Sequence, residues 1–344
     1  MKNKQIELNI ISESRNILLG ISSLLIILFH SDSLNFTELL GQNIISNILN
    51  FIKATGNIGV DIFLFLSGIG LYFSFTKNNL KQYYKNRFIR IIPTFIIIVF
   101  LFTCLTKAYD LKKFFENIFL ISFFIKGEID IWYIPFIIIL YLIFPLIYKI
   151  INKYDTLGLL SSLFIIVIFN FLHLMIFPKH YGLYEIATTR IPIFITGVYY
   201  GKKIYNKNKI STKVIPLSIL IQLIIPIILY LTMNNEAFSI FSRYLYFFLS
   251  ISTVFLISLI YKYVKNKDNT ISKILIFFGN HSLEMYLVYE LVKQVIYEKI
   301  NIYSYPKYYL ICFIITIIVS YILKLIINKV IKILTIKKDL NVAN

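Results

Sequence analysis

The stretch SSLLIILFHSDS, residues 22 to 33, runs apolar and then presents His30, with Asp32 two positions later. A neutral imidazole near pH 7 can take a proton from a hydroxyl, so His30 is a candidate general base. A histidine resting among lipid headgroups fits the same position. The next apolar segment, GNIGVDIFLFLSGIGLYF, carries Asp61 just inside its start. A carboxylate there could orient an imidazole, or could simply occupy the positive end of a helix dipole. Further on, KNRFIRIIP sets Arg87 and Arg90 three residues apart, on one face of a helix. Two guanidiniums on one face make a fork for phosphates; positive charge anchoring a cytoplasmic helix end explains them as well.

An ionisable group at membrane depth is costly, so each one inside an apolar segment is a functional candidate. Besides His30 and Asp61, these are Glu284, with Glu185, Arg190 and His281 near segment ends. Glu284 could bond a neighbouring helix or line an acceptor pocket, and Arg190, beside Pro192, could meet phosphate or headgroups. Trp132 and Tyr133 read as interface aromatics or as lining for a sugar ring or a pantetheine arm.

Such residues need a scaffold, and composition names it. The chain has 344 residues, 58% hydrophobic and only 15% charged, with a mean hydropathy of +0.75. That is too little polar surface for a water-soluble globule of this size. The apolar runs are too long and continuous for barrel strands. They predict an all-α, polytopic transmembrane bundle with candidate spans at 16–31, 58–76, 91–107, 131–148, 156–177, 187–201, 214–232, 243–261, 274–297 and 308–328. The run at 114–125 is short for a crossing and suits an interfacial or re-entrant helix. With ten spans and both termini cytoplasmic, most of the 35 Lys and Arg residues fall on the cytoplasmic side, Lys2 and Lys4 among them. Topology thus accounts for the net charge of +18 without nucleic acid. Residues 1–344 read as one membrane domain with no attached soluble domain. Cys104 and Cys312 lie inside apolar runs and form neither a disulfide framework nor a metal-ligand spacing.

Taken in order, these blocks resemble the acyltransferase-3 family of integral membrane O-acyltransferases. The resemblance rests on a histidine closing the first span, GVDIFLFLSG in the second, RFIR before Pro93, IWYIPFIIILYLIFPLIY, RIPIFITGVYYGK, and GNHSLEMYLVYEL near the end. It implies transfer of an acyl group, commonly acetyl, from cytoplasmic acyl-CoA to a hydroxyl of a carbohydrate or glycolipid, in a multi-pass protein of a bacterial inner or plasma membrane. His30 would be the catalytic histidine, supported by Asp61, and Arg87 and Arg90 would face acyl-CoA, which is a donor substrate and not a bound cofactor. No metal is expected. The other expected partners are membrane lipids.

Two positions depart from the family pattern. Leu19 stands where a cation usually precedes the histidine by eleven residues, with Arg15 the nearest cation, and Tyr289 stands where a histidine often closes the last block. The alternative from composition alone is a polysaccharide or small-molecule exporter, which would have no use for acyl-CoA. A sensor or assembly factor that keeps the fold without the activity is a third.

Overall fold

A computed structural model describes residues 5–31, 34–106, 110–128, 132–232, 236–264, 269–300 and 305–340; for residues 236–241, 300, 305–307 and 334–340 it describes the backbone alone. Asp32, Lys2 and Lys4 lie outside the described residues. Among the described residues the architecture is helical, with one short strand pair. In chain order the principal elements are β1 (Gln5–Glu7), α1 (Arg15–Phe29), α2 (Ile44–Ala54), α3 (Ile58–Lys77), α4 (Leu80–Leu105), α5 (Leu111–Ile118), α6 (Tyr133–Ile176), α7 (Pro178–Thr188), α8 (Ile191–Tyr205), β2 (Lys209–Ser211), α9 (Val214–Thr232), α10 (Glu236–Tyr263), α11 (Thr270–Asn280), α12 (Ser282–Ile300) and α13 (Tyr305–Leu340).

Among the described residues, six helices are long and apolar enough to cross a membrane: Ile58–Lys77, Leu80–Leu105, Tyr133–Ile176, Val214–Thr232, Ser242–Tyr263 and Tyr308–Ile333. The third of these is 44 residues, broken at Asp155 with φ 49° and ψ −121°. A helix rises about 1.5 Å per residue against a hydrocarbon core of about 30 Å, so the two arms, 133–154 and 156–176, suit separate crossings. The other predicted spans are shorter or interrupted. The first is the 15-residue α1. The span expected at 187–201 begins later, at Ile191, after Arg190 ends the preceding turn. That expected at 274–297 breaks at His281 into α11 and α12, and α12 carries Glu284, Glu290 and Lys293, which lower its hydropathy.

The chain groups into two compact units. The first comprises Met1–Phe29, Ile48–Lys77 and Leu142–Asn280. Its centre is the pairing of α3 with α8, which glycine makes close. A Cβ at Gly68 would lie 2.5 Å from the Phe194 carbonyl oxygen, and one at Gly197 would strike the Phe65 carbonyl. Gly201 packs on Ile69 and Tyr72, and the Tyr72 and Tyr205 rings meet one turn further on. The two helices therefore run parallel. An odd number of crossings must separate them, and α4 with the two arms of α6 supplies three. Gly20 and Gly279 similarly bring α1 and α11 into backbone contact, in the manner of small-residue interfaces between membrane helices.

In the same unit β1 pairs antiparallel with β2, Gln5 opposite Ser211. Strands paired in this way share one side of a bilayer, which demands an even number of crossings between them. The run 114–125 falls on the eight-residue α5 and the short helix Ile121–Phe124.

The second unit comprises His30–Asn47, Asn78–Tyr141 and His281–Asn344. Here α12 and α13 pack antiparallel, Glu284 near Lys324 and the Lys293 carbonyl accepting from the Tyr308 hydroxyl. The buried Tyr83 of α4 donates to the Tyr141 carbonyl, which ties α4 to the start of α6.

Candidate active site

The chain leaves α1 at His30, within the second unit. His30 Nδ1 lies 3.0 Å from Oε1 of Glu290 on α12, and both side chains are partly open, 30% and 20% exposed. Lys293, three residues beyond Glu290, lies 3.9 Å from the other carboxylate oxygen and donates to the His30 carbonyl at 3.4 Å. Helical spacing explains the assembly: Tyr286, Glu290 and Lys293 fall on one stripe of α12 at intervals of four and three. Above them Tyr286 stacks edge-on against Tyr133, ring centroids 5.4 Å apart, and Tyr133 touches Trp132. Both predicted aromatics are buried beside this stripe.

A carboxylate at Nδ1 favours the proton on that nitrogen and leaves Nε2 as the basic one. Sequence reasoning expected a carboxylate for His30 but singled out Asp61. The one on Nδ1 is Glu290, which was overlooked although it stands next to Tyr289 in the last family block. An ionisable group inside a predicted span was the available signal, and Lys293 gave it too.

Six residues before Glu290 on α12, about 9 Å along the axis, the buried Glu284 lies 3.8 Å from Lys324 of α13. The charge of Arg90 acts on that lysine. Glu284 therefore faces a cation of the neighbouring helix α13. Arg90 sits about one turn and Arg87 nearly two turns before Pro93 in α4. Arg90 is exposed and Arg87 half-buried, with an enclosed Nε that has no hydrogen-bond partner among the described residues. His281 falls at the break before α12, its ring 5.9 Å from that of Tyr321.

Asp61 and Arg190 come together in the first unit. Asp61 Oδ1 lies 3.2 Å from Arg190 Nε, both residues being buried, and Arg190 also donates to the Ile186 carbonyl. The parallel packing of α3 on α8 sets this pair: Asp61 is in the first turn of one helix and Arg190 immediately precedes the other. Nearby, Arg243 of α10 donates twice to Oε1 of Glu185, at 3.1 and 2.8 Å. Arg243, at the edge of a predicted span, was also overlooked. Arg15 lies next to Gly70 of α3, at the far end of α1 from His30. Among the described residues no group of three or more His, Cys, Asp or Glu side chains is placed to hold a metal ion.

A family model described as an acyltransferase domain matches residues 16–325, nearly the whole chain and parts of both units. The chain belongs to the acyltransferase-3 family. No curated protein and no solved structure matches it. Membership makes it a membrane acyltransferase by family, and its apolar helices agree with a place in a membrane. The second unit holds a histidine 3.0 Å from a carboxylate of α12 and, at an earlier turn of that helix, Glu284 near Lys324 of α13.

Proposed function

We propose that the chain is an integral membrane O-acyltransferase that carries an acyl group, acetyl in the first instance, from cytoplasmic acyl-CoA to a hydroxyl of an exported or cell-surface carbohydrate. The observation that carries this reading is the arrangement along α12. Glu290 holds the candidate base His30, and six residues earlier Glu284 holds Lys324 beside Arg90. One helix whose carboxylates contact the base His30 at one level and Lys324 of α13 at another suits a long thioester donor, with its charged nucleotide at one end and its reactive carbonyl at the other.

In the proposed step the acceptor O–H gives its proton to His30 Nε2 as its oxygen attacks the thioester carbonyl. The tetrahedral intermediate collapses, the C–S bond breaks, and the imidazolium returns the proton to the departing thiolate. The products are an ester and free CoA thiol. Glu290 keeps Nε2 facing the acceptor and stabilises the transient positive charge. Arg87 and Arg90, with Lys324 beside them, hold donor phosphates. The chain works as one domain over 1–344, with ten crossings, both termini cytoplasmic, in a bacterial cell membrane. The parallel α3–α8 pair and the β1–β2 pair support that topology.

The test uses membranes carrying the wild-type chain or His30→Ala, supplied with acetyl-CoA, with thiol release followed and extracted surface glycans weighed for added acetyl. Thiol release and added mass with the wild type, lost in His30→Ala, are expected. Glycans of equal mass and no thiol release from either would overturn the reading and favour an exporter.

A further inference from the structure

His30 and Glu290 share a third neighbour, to which the step just described gives no task. Lys293 stands three residues beyond Glu290 on α12. Its Nζ lies 3.9 Å from Glu290 Oε2 and donates to the His30 carbonyl oxygen at 3.4 Å, while the other carboxylate oxygen, Oε1, meets His30 Nδ1. One ammonium group therefore touches both the main chain of the candidate base and the carboxylate beside its ring. All three residues belong to the second unit, and their side chains are partly open.

Lys293 falls inside a segment expected to cross the membrane, where an ammonium is costly unless acceptors meet it. Both of the acceptors named belong to the candidate site. With three N–H donors on a flexible stem, lysine can serve two oxygens at once. The turn that carries it is fastened in its own right, because the Tyr308 hydroxyl of α13 donates to the Lys293 carbonyl at 2.9 Å. His30 stands just past Phe29, the last helical residue before it, so the helical ladder leaves its carbonyl to find a donor elsewhere. Contact with that carbonyl fixes the main chain from which the imidazole hangs, and contact with Oε2 fixes the carboxylate that orients the ring. Such placement matters to turnover, since a misplacement of about 1 Å can cost about 10²-fold in rate.

We propose that Lys293 is a positioning residue for acyl transfer, holding the His30 main chain and the Glu290 carboxylate together so that Nε2 faces the acceptor hydroxyl. This rests on the acyltransferase reading and adds a third member to its base. Lys293 acts through His30 and Glu290 and takes no proton itself.

The experiment supplies membranes carrying the full-length chain with acetyl-CoA and extracted surface glycans, and follows thiol release and added acetyl. Lys293→Gln should lower kcat about tenfold or more while the KM for acetyl-CoA stays within about twofold. Lys293→Met takes its place if that variant does not fold. Lys293→Arg keeps a charged donor and should recover kcat to within about threefold of the wild type. Combined with Glu290→Gln, Lys293→Gln should slow transfer by no more than about threefold beyond Glu290→Gln alone, because residues of one network lose their effects together. An unchanged kcat without Lys293, a KM for acetyl-CoA that rises as kcat falls, an equal loss with arginine, or losses that multiply in the double variant would overturn the proposal. A wild-type chain that releases no thiol and adds no acetyl would instead overturn the acyltransferase reading beneath it.

Discussion

His30 Nδ1 and Glu290 Oε1 lie 3.0 Å apart although 260 residues separate them in the chain. In the proposed step the carboxylate selects which imidazole nitrogen is basic, so its loss should be felt in turnover before it is felt in binding. Glu290→Gln is expected to lower kcat for acyl transfer by about 10²-fold or more, the scale of general-base assistance, with little change in the KM for acetyl-CoA. Steady-state thiol release measures both constants, and an unaltered kcat would free Glu290 from this role.

The cation cluster should show the opposite split. Replacing Arg87 and Arg90 together with Gln removes two charge-assisted donors, each contributing about 1.5–3 kcal/mol where it meets a phosphate. A KM for acetyl-CoA raised tenfold or more, with a smaller fall in kcat, is expected in the same assay. Lys324→Met should weaken donor binding in the same direction while also unpairing Glu284. An unchanged donor KM in the double variant would place the phosphates elsewhere.

Close backbone packing of α3 on α8 makes a stability prediction independent of chemistry. Gly197→Ala puts a methyl group against the Phe65 carbonyl and should cost about 1–3 kcal/mol through overpacking. Gly182 of α7 has nothing within 4 Å of where its Cβ would stand, and Gly182→Ala should leave the protein as stable or slightly more so. Thermal unfolding in detergent compares the two; an equal response would mean that α3 and α8 are not in contact at Gly197.

Topology can be read by thiol labelling from either side of the membrane in a chain whose native Cys104 and Cys312 are replaced by Ser. Lys112→Cys on α5 should react with an impermeant reagent from outside. Asn208→Cys, beside β2, should react only after permeabilisation, together with a tag placed at the N-terminus. Labelling of residues 112 and 208 from the same side would reject the ten-span arrangement.

The amino-acid sequence by itself determined the helical class and the apolar segments long enough to cross a bilayer, because a bilayer reads hydropathy and length residue by residue. It also picked out His30, Asp61, Arg190, Glu284 and the Arg87–Arg90 pair, since charges at membrane depth stand out against apolar neighbours. It could say that each such charge needs a partner, yet it misplaced one of them: the carboxylate it offered to His30 pairs with Arg190. Glu290, Lys293, Lys324 and Arg243 acquired meaning only in the fold. Their partners come from helices distant in the chain, and hydropathy carries no information on which helices become neighbours. Tertiary packing decided that, through glycines that let α3 and α8 run side by side and through the antiparallel contact of α12 with α13.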